Sequence, residues 1–157
     1  MAKSPERIFI FEVALMSDRR IWRRVALRGS QTLDHLHWAI YGAFDRSHEH
    51  LYSFFFPLPG SKGAARLRDA QEYVSPVAYE GVAVPEDGAS LNADRARLDR
   101  LELRSGQTFY YLFDPSTPCW HEVIVMEVEG KPEKGPDPRL LEKEGASPGL
   151  GARGTSR

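Results

Sequence analysis

Two short runs near the N-terminus alternate at period two, and they restrict the fold more than any other feature of this chain. In the first, Phe9, Phe11, Val13 and Leu15 share one face of an extended strand, while Ile8, Ile10, Glu12 and Ala14 share the other. In the second, Ile21, Val25 and Leu27 oppose Arg20, Trp22, Arg24 and Arg28. Both apolar sets are buried together only if odd residues pair with odd residues, because a slip of one residue turns a whole set outward. That parity requires an odd number of loop residues, and Ser17-Asp18-Arg19 supplies three. The resulting register sets Glu12 opposite Arg24 as an outer-face ion pair. It also puts Arg23 on the core face, where a guanidinium needs a carboxylate or carbonyl partner.

After Gly29-Ser30, Thr32 reads as a helix N-cap with Asp34 in the first turn, and Leu33, Leu36, Ile40, Ala43 and Phe44 form a helical stripe ending near Asp45. The aromatic run from His50 to Phe56 reads as a buried strand stopped by Pro57-Leu58-Pro59-Gly60. Ser61 to Gly88 is irregular, with a brief helix expected near Ala64–Glu72. Asn92 is placed to cap a second helix carrying Ala96, Leu98 and Leu101, ended by Ser105-Gly106. Gln107–Phe113 and Trp120–Glu129 form a further strand pair. Beyond Gly130, Leu140 and Leu141 offer something to bury, so Asp137–Lys143 is expected to dock on the sheet or a helix. The expectation is one α+β domain over residues 1–146, followed by a disordered tail over residues 147–157. Its sheet is mainly antiparallel, built of two hairpin-like strand pairs plus a central strand, with helices packed on one face.

The 157 residues suffice for one domain with a core. With 21 Lys and Arg against 22 Asp and Glu, the net charge of −1 supplies no bulk attraction to nucleic acid or to an anionic membrane. Cys119 is the single cysteine, which excludes an intramolecular disulfide and suits a reducing compartment. The run from Ile8 to Met16 carries Glu12 and alternates like a strand, so it does not read as a secretory leader. No run approaches the ~20 apolar residues of a membrane span. A cytoplasmic location without membrane contact is the expectation.

Candidate binding residues fall in two groups. Arg20, Trp22, Arg24 and Arg28, with Arg19 in the turn, put arginine and an aromatic on one side of a two-stranded ribbon. Such a face can dock a protein partner or contact phosphates. A protein partner is favoured over nucleic acid, because net charge is near zero and one aromatic is available for stacking. The second group is a possible polar cluster of Asp45, His48, His50, Asp114 and His121, with His48 and His50 on one side of a strand beginning at His48. His35 and His37 are about 200° apart around a helix and cannot share an ion. Cys119 and His121 share a strand face, yet Cys119 reads better as a small hydrophobe than as a nucleophile. No catalytic residue, metal or cofactor is assigned.

Several motifs carry a resemblance. Ile21-Trp22-Arg23-Arg24, Leu36-His37-Trp38-Ala39-Ile40 with Ala43-Phe44, and His50-Leu51-Tyr52-Ser53-Phe54 are similar to the signature of the Ri-plasmid open-reading-frame-three-like family. Phe109 to Asp114, His121-Glu122-Val123 and Asp137 to Lys143 with Gly145 and Pro148 match its later motifs in order. Members are often labelled mobile-element passenger, resolvase-like. The resemblance implies an α+β fold with a mainly antiparallel sheet and helices on one side, and no mechanism. A recombinase would need an activated serine, an arginine cluster and normally a separate helical DNA-reading domain, and no pair of short helices with an intervening turn follows this core, whose C-terminal end is Gly/Pro-rich instead. Ser17, Ser30 and Ser47 sit where turn or cap chemistry explains them. The function expected is a non-catalytic binding or interaction domain. The alternatives are a DNA-associated accessory protein of a mobile element and, further off, a metal-dependent enzyme.

Overall fold

The N-terminal runs form the hairpin that parity demands. Strand β1 (Ile8–Leu15) pairs antiparallel with β2 (Trp22–Arg28), setting Phe11 opposite Val25 and Glu12 opposite Arg24. The turn spans residues 16–20, because the ladder ends with Leu15 N–H on the Ile21 carbonyl at 3.1 Å while Met16 N–H donates to the Trp120 carbonyl at 3.0 Å. Parity survives, since residues 16–20 are again an odd number. A computed structural model describes residues 7–81, 90–114, 117–130 and 139–147.

Helix α1 (Leu33–Ala43) begins at Thr32, whose Oγ1 accepts from the His35 amide while His35 Nδ1 accepts from the Thr32 amide. This is a capping box with histidine in the place usually taken by Glu or Gln. Leu33, Leu36, Ile40, Ala43 and Phe44 are buried against Phe9, Phe11, Val13, Val25 and Leu27, as the stripe predicts.

The remaining strands correct the expected fold class. Strand β3 (Tyr52–Phe56) is followed by a short helix α2 (Ala65–Arg68), strand β4 (Gln71–Val74), helix α3 (Pro76–Gly81) and strand β5 (Ser90–Asn92). Then come β6 (Thr108–Phe113), β7 (Cys119–Gly130) and β8 (Arg139–Glu144). All belong to one eight-stranded sheet in the order β5-β4-β3-β6-β7-β1-β2-β8. The sheet is mixed, because β4 and β5 run parallel while the other neighbours are antiparallel. The molecule is therefore dominated by one mixed sheet, not an α+β domain of two strand pairs and a central strand. The added strands are three to six residues long, too short for alternation to announce them.

Helices are also placed differently and are less one-sided than expected, although α2 falls within the brief helix expected near Ala64–Glu72. The segment after Asn92 forms two 3-10 turns, Ala93–Arg95 and Leu98–Arg100, in place of a second α-helix. Asn92 does cap the first, its Oδ1 accepting from the Asp94 amide at 2.9 Å. Arg66 of α2 reaches the hydroxyl of Tyr110, which lies on the sheet face opposite its buried neighbour Tyr111, so α2 does not share the face of α1. Strand β8 docks on β2, as Asp137–Lys143 was expected to do, although Asp137 and Pro138 lie outside the described residues. Of the tail expected over residues 147–157, only Ser147 is described. Its hydroxyl accepts from Arg23 Nη2 and donates to Asp45 Oδ2, both at 2.8 Å.

Arg23 finds the carbonyl partners its core position requires. It donates to Ala43 O at 2.8 Å and to Trp22 O and Glu144 O at 2.9 Å, joining the end of α1 to β2 and β8.

Candidate ligand-binding site

The end of α1 sets up a buried polar chain. Arg46 N–H donates to Tyr41 O at 3.0 Å and Asp45 N–H to Gly42 O at 3.1 Å, while Asp45 adopts a left-handed φ of 55°. This is a Schellman ending with aspartate where glycine is usual. It turns Arg46 back into the protein, between the rings of Phe44 and Phe113 at 4.9 and 4.7 Å from the guanidinium carbon. Arg46 Nη2 lies 2.6 Å from His121 Nε2. Guanidinium only donates, so Nε2 accepts, and His121 Nδ1–H donates to the Tyr111 carbonyl at 3.2 Å. Both contacts select the neutral imidazole. Burial, reinforced by Arg46, pushes His121 down to about 3.

His37 continues the chain toward the surface. Its Nδ1 bonds the Tyr111 hydroxyl at 2.7 Å and its ring stacks on Tyr52 at 3.9 Å. Burial, with a smaller contribution from Arg46, lowers it to about 3 as well. Burial raises both tyrosines, and Tyr52 also donates to Asp34 Oδ1 at 2.5 Å. The Cys119 thiol sits 3.7 Å from Arg46 Nη2 and 4.0 Å from His121 Nε2, but burial raises it despite the nearby cation. The chain is thus tuned away from proton transfer near neutrality.

Above it a pocket of about 520 Å³ opens between α1, the approach to β3 and the start of α3. Asp34, His37 and Trp38 come from α1, Glu49, His50, Leu51 and Tyr52 from the next segment, and Ser75, Pro76 and Val77 from the end of β4 onward. Its rim is apolar and exposed, with Trp38 42%, Leu51 47% and Val77 69% accessible. Ser75 is only 5% exposed, yet its hydroxyl has no hydrogen-bond partner among the described residues. Buried polar groups are nearly always bonded, so this hydroxyl is an unused bonding capacity inside the pocket wall, behind the surface a ligand would touch.

The residues singled out in the sequence are dispersed. On the ribbon, Arg24 Nε and Nη1 bind Glu12 at 2.9 Å and Glu142 at 2.8 Å, and Arg24 lies over the Trp22 ring. Arg20 pairs with Asp18 at 3.0 Å and Arg19 with Glu122 at 3.5 Å, while the Arg28 amide bonds Gln31. Of the polar cluster, His50 and Asp114 come within 3.7 Å. His48 bonds its neighbour Ser47, Asp45 is held by Ser147, and His121 is buried against Arg46. Strand β3 starts at Tyr52, so His48 and His50 lie ahead of it and not on a shared strand face. Among the described residues no group of three or more His, Cys, Asp or Glu could hold a metal ion, and no helix is long and apolar enough to cross a membrane.

Sequence reasoning missed Asp34, His37, Trp38, Tyr52 and Ser75 as one site. Trp38 was the available signal, a large aromatic beside the apolar stripe and not on it. Ser75 offered none.

A mixed sheet backed by one capped helix, with a partly polar pocket at the helix flank, defines a small pocket-bearing domain. The chain belongs to the plasmid pRiA4b ORF-3-like protein family, whose pattern matches residues 7–155. The fold is similar to the crystal structure of MM3350, a protein of unknown function from Methanosarcina mazei Go1, with a TM-score of 0.68 and 16% identity. That likeness covers 92% of this chain and 72% of the other. Among curated proteins none matches.

Proposed function

We propose that this protein is a non-catalytic binding domain whose pocket receives an apolar group ending in a hydrogen-bond donor. A pocket rimmed by exposed Trp38, Leu51 and Val77, with Asp34 and Glu49 in its lining, carries this reading. The carboxylates of Asp34 and Glu49 supply acceptors for the donor, and the aromatic rim suits an amine or a lysine-like side chain. Such a group is what a protein partner can present, so the partner expected from the sequence is reassigned from the ribbon to this pocket. The pKa pattern supports binding over catalysis, since His37 and His121 are held neutral far below working pH. Pairing of Arg20 with Asp18 and of Arg24 with Glu12 and Glu142 offsets those positive charges, which weighs against the DNA-accessory reading for the ribbon.

Titration with phenethylamine, followed by amide and indole NMR shifts, tests the proposal. Saturable shifts at Trp38 and Ser75 that vanish in Trp38→Ala, with none from phenylacetate, are the expected result. Equal shifts from the amine and the carboxylate, or none from either, would overturn it.

A further inference from the structure

A second pocket, of about 600 Å³, lies at the β5 edge of the sheet between β4, β5 and the two 3-10 turns. Its chemistry is opposite to that of the first. Arg95, Arg97 and Arg100 line it together with the apolar surfaces of Tyr73, Leu91 and Leu101.

The arginine-bearing segment is rigid, not a loose loop. Ala93, Ala96 and Leu98 are buried and alternate with the arginines. Its backbone is tied to the turn ahead of α1 by three hydrogen bonds. Leu33 N–H donates to Ala96 O at 3.0 Å, Leu98 N–H to Gln31 O at 2.9 Å, and Asp99 N–H to Gly29 O at 3.0 Å. Gly29 eases that approach, because a Cβ there would sit a tight 3.1 Å from the Asp99 Cβ.

Within this frame the three cations have different fates. Arg97 is satisfied by a two-pronged pair with Asp99, at 3.1 and 2.7 Å. The side chains of Arg95 and Arg100 make no hydrogen bond or ion pair among the described residues. Asp94, the other acid in the segment, is exposed and holds Asn92 through its backbone. Two guanidinium forks over an apolar floor therefore face solvent in a chain whose net charge is −1.

We propose that this pocket binds a small organic phosphate, its phosphate held by Arg95 and Arg100 and its apolar body resting on Tyr73, Leu91 and Leu101. Two forks present more donors than a carboxylate's two oxygens can engage, whereas a phosphate offers three terminal oxygens and a matching dianionic charge. The site is separate from the Trp38 pocket, and its test is independent of that reading.

Isothermal titration and amide NMR of the full chain with adenosine monophosphate, adenosine and inorganic phosphate test the proposal. Adenosine monophosphate is expected to bind and shift Leu91 and Leu101, with adenosine and inorganic phosphate each weaker by about tenfold or more. The double variant Arg95→Gln/Arg100→Gln is expected to lose at least about tenfold in affinity with an unchanged thermal midpoint, as both side chains are unbonded. Trp38→Ala is expected to bind the nucleotide like the wild type. Absence of binding at millimolar nucleotide, or a double variant that binds normally, would overturn the proposal. So would an oligonucleotide that bound the same arginines orders of magnitude more tightly, since the occupant would then be a nucleic acid.

Discussion

Acidification from pH 7 to pH 5 is expected to remove about 4 kcal/mol of folding stability, and the two buried histidines are the cause. His37 and His121 each ionise at about 3 when folded and at 6.5 when unfolded. Below pH 6.5 the unfolded chain takes up two protons that the native state refuses, so the stability these residues contribute is complete above 6.5. It is lost progressively as pH falls toward 3. One unit of pKa difference is worth about 1.36 kcal/mol. At pH 5 each histidine has crossed 1.5 units of its window, or about 2 kcal/mol; at pH 4 the pair costs about 7 kcal/mol, comparable with the whole stability of a domain. Urea melts at fixed pH values between 7.5 and 4 give the curve directly. His121→Gln keeps an acceptor for Arg46 and removes one titrating group, so its acid slope should be half that of the wild type. A wild-type stability constant within about 1 kcal/mol between pH 7 and 5 would refute the assignment of both histidines as buried and neutral.

Two further outcomes follow from single side chains. Arg23→Met keeps most of the volume but strands the Ala43 and Glu144 carbonyls, and should cost about 3 kcal/mol in urea melts; a loss under 1 kcal/mol would mean that these bonds do not form. Ser75→Ala removes a buried hydroxyl that is unbonded among the described residues and should raise stability by about 1 kcal/mol, so a destabilised variant would show that Ser75 has a structural partner.

The part of the fold that sequence revealed is the part written in long repeats. Eight alternating residues in β1 and an eleven-residue helical stripe each bury a face, and burial of a face leaves periodicity. The hairpin register, the Glu12–Arg24 pair and the buried side of α1 were legible for that reason. Strands β4, β5 and β8 are recruited by pairing with neighbours that already exist, and a three-residue strand such as β5 carries no pattern of its own. The pocket was illegible for a related reason. It joins Asp34, Glu49 and Ser75, which are far apart in the chain, and it depends on α3 following β4 at the approach to a parallel strand. His37 was visible as a helical histidine, but its neutrality comes from burial, to which the Tyr52 and Tyr111 side chains packed on it belong, and then from Arg46, none of which a helical pattern shows.

Arginine shows most clearly why residue type alone could not assign function here. The ribbon arginines looked like the functional ones because they alternate on one face beside a tryptophan. Folding gives several of them work inside the molecule: Arg23 ties a helix end to two strands, and Arg24 bridges carboxylates on both neighbouring strands. Arg46, inconspicuous in the sequence, is enclosed between two phenylalanine rings and fixes a histidine tautomer. Arg95 and Arg100, in a segment that read as one face of an ordinary helix, are the cations left facing solvent over an apolar floor. The free energy of a guanidinium is lowest when its charge is matched, and a folded chain can match it with its own carboxylates and carbonyls or leave it for a ligand. Whether an arginine is structural or functional is therefore set by what the fold places around it, and the 3-10 geometry after Asn92 decides it at Arg95 and Arg100 by turning their apolar neighbours inward.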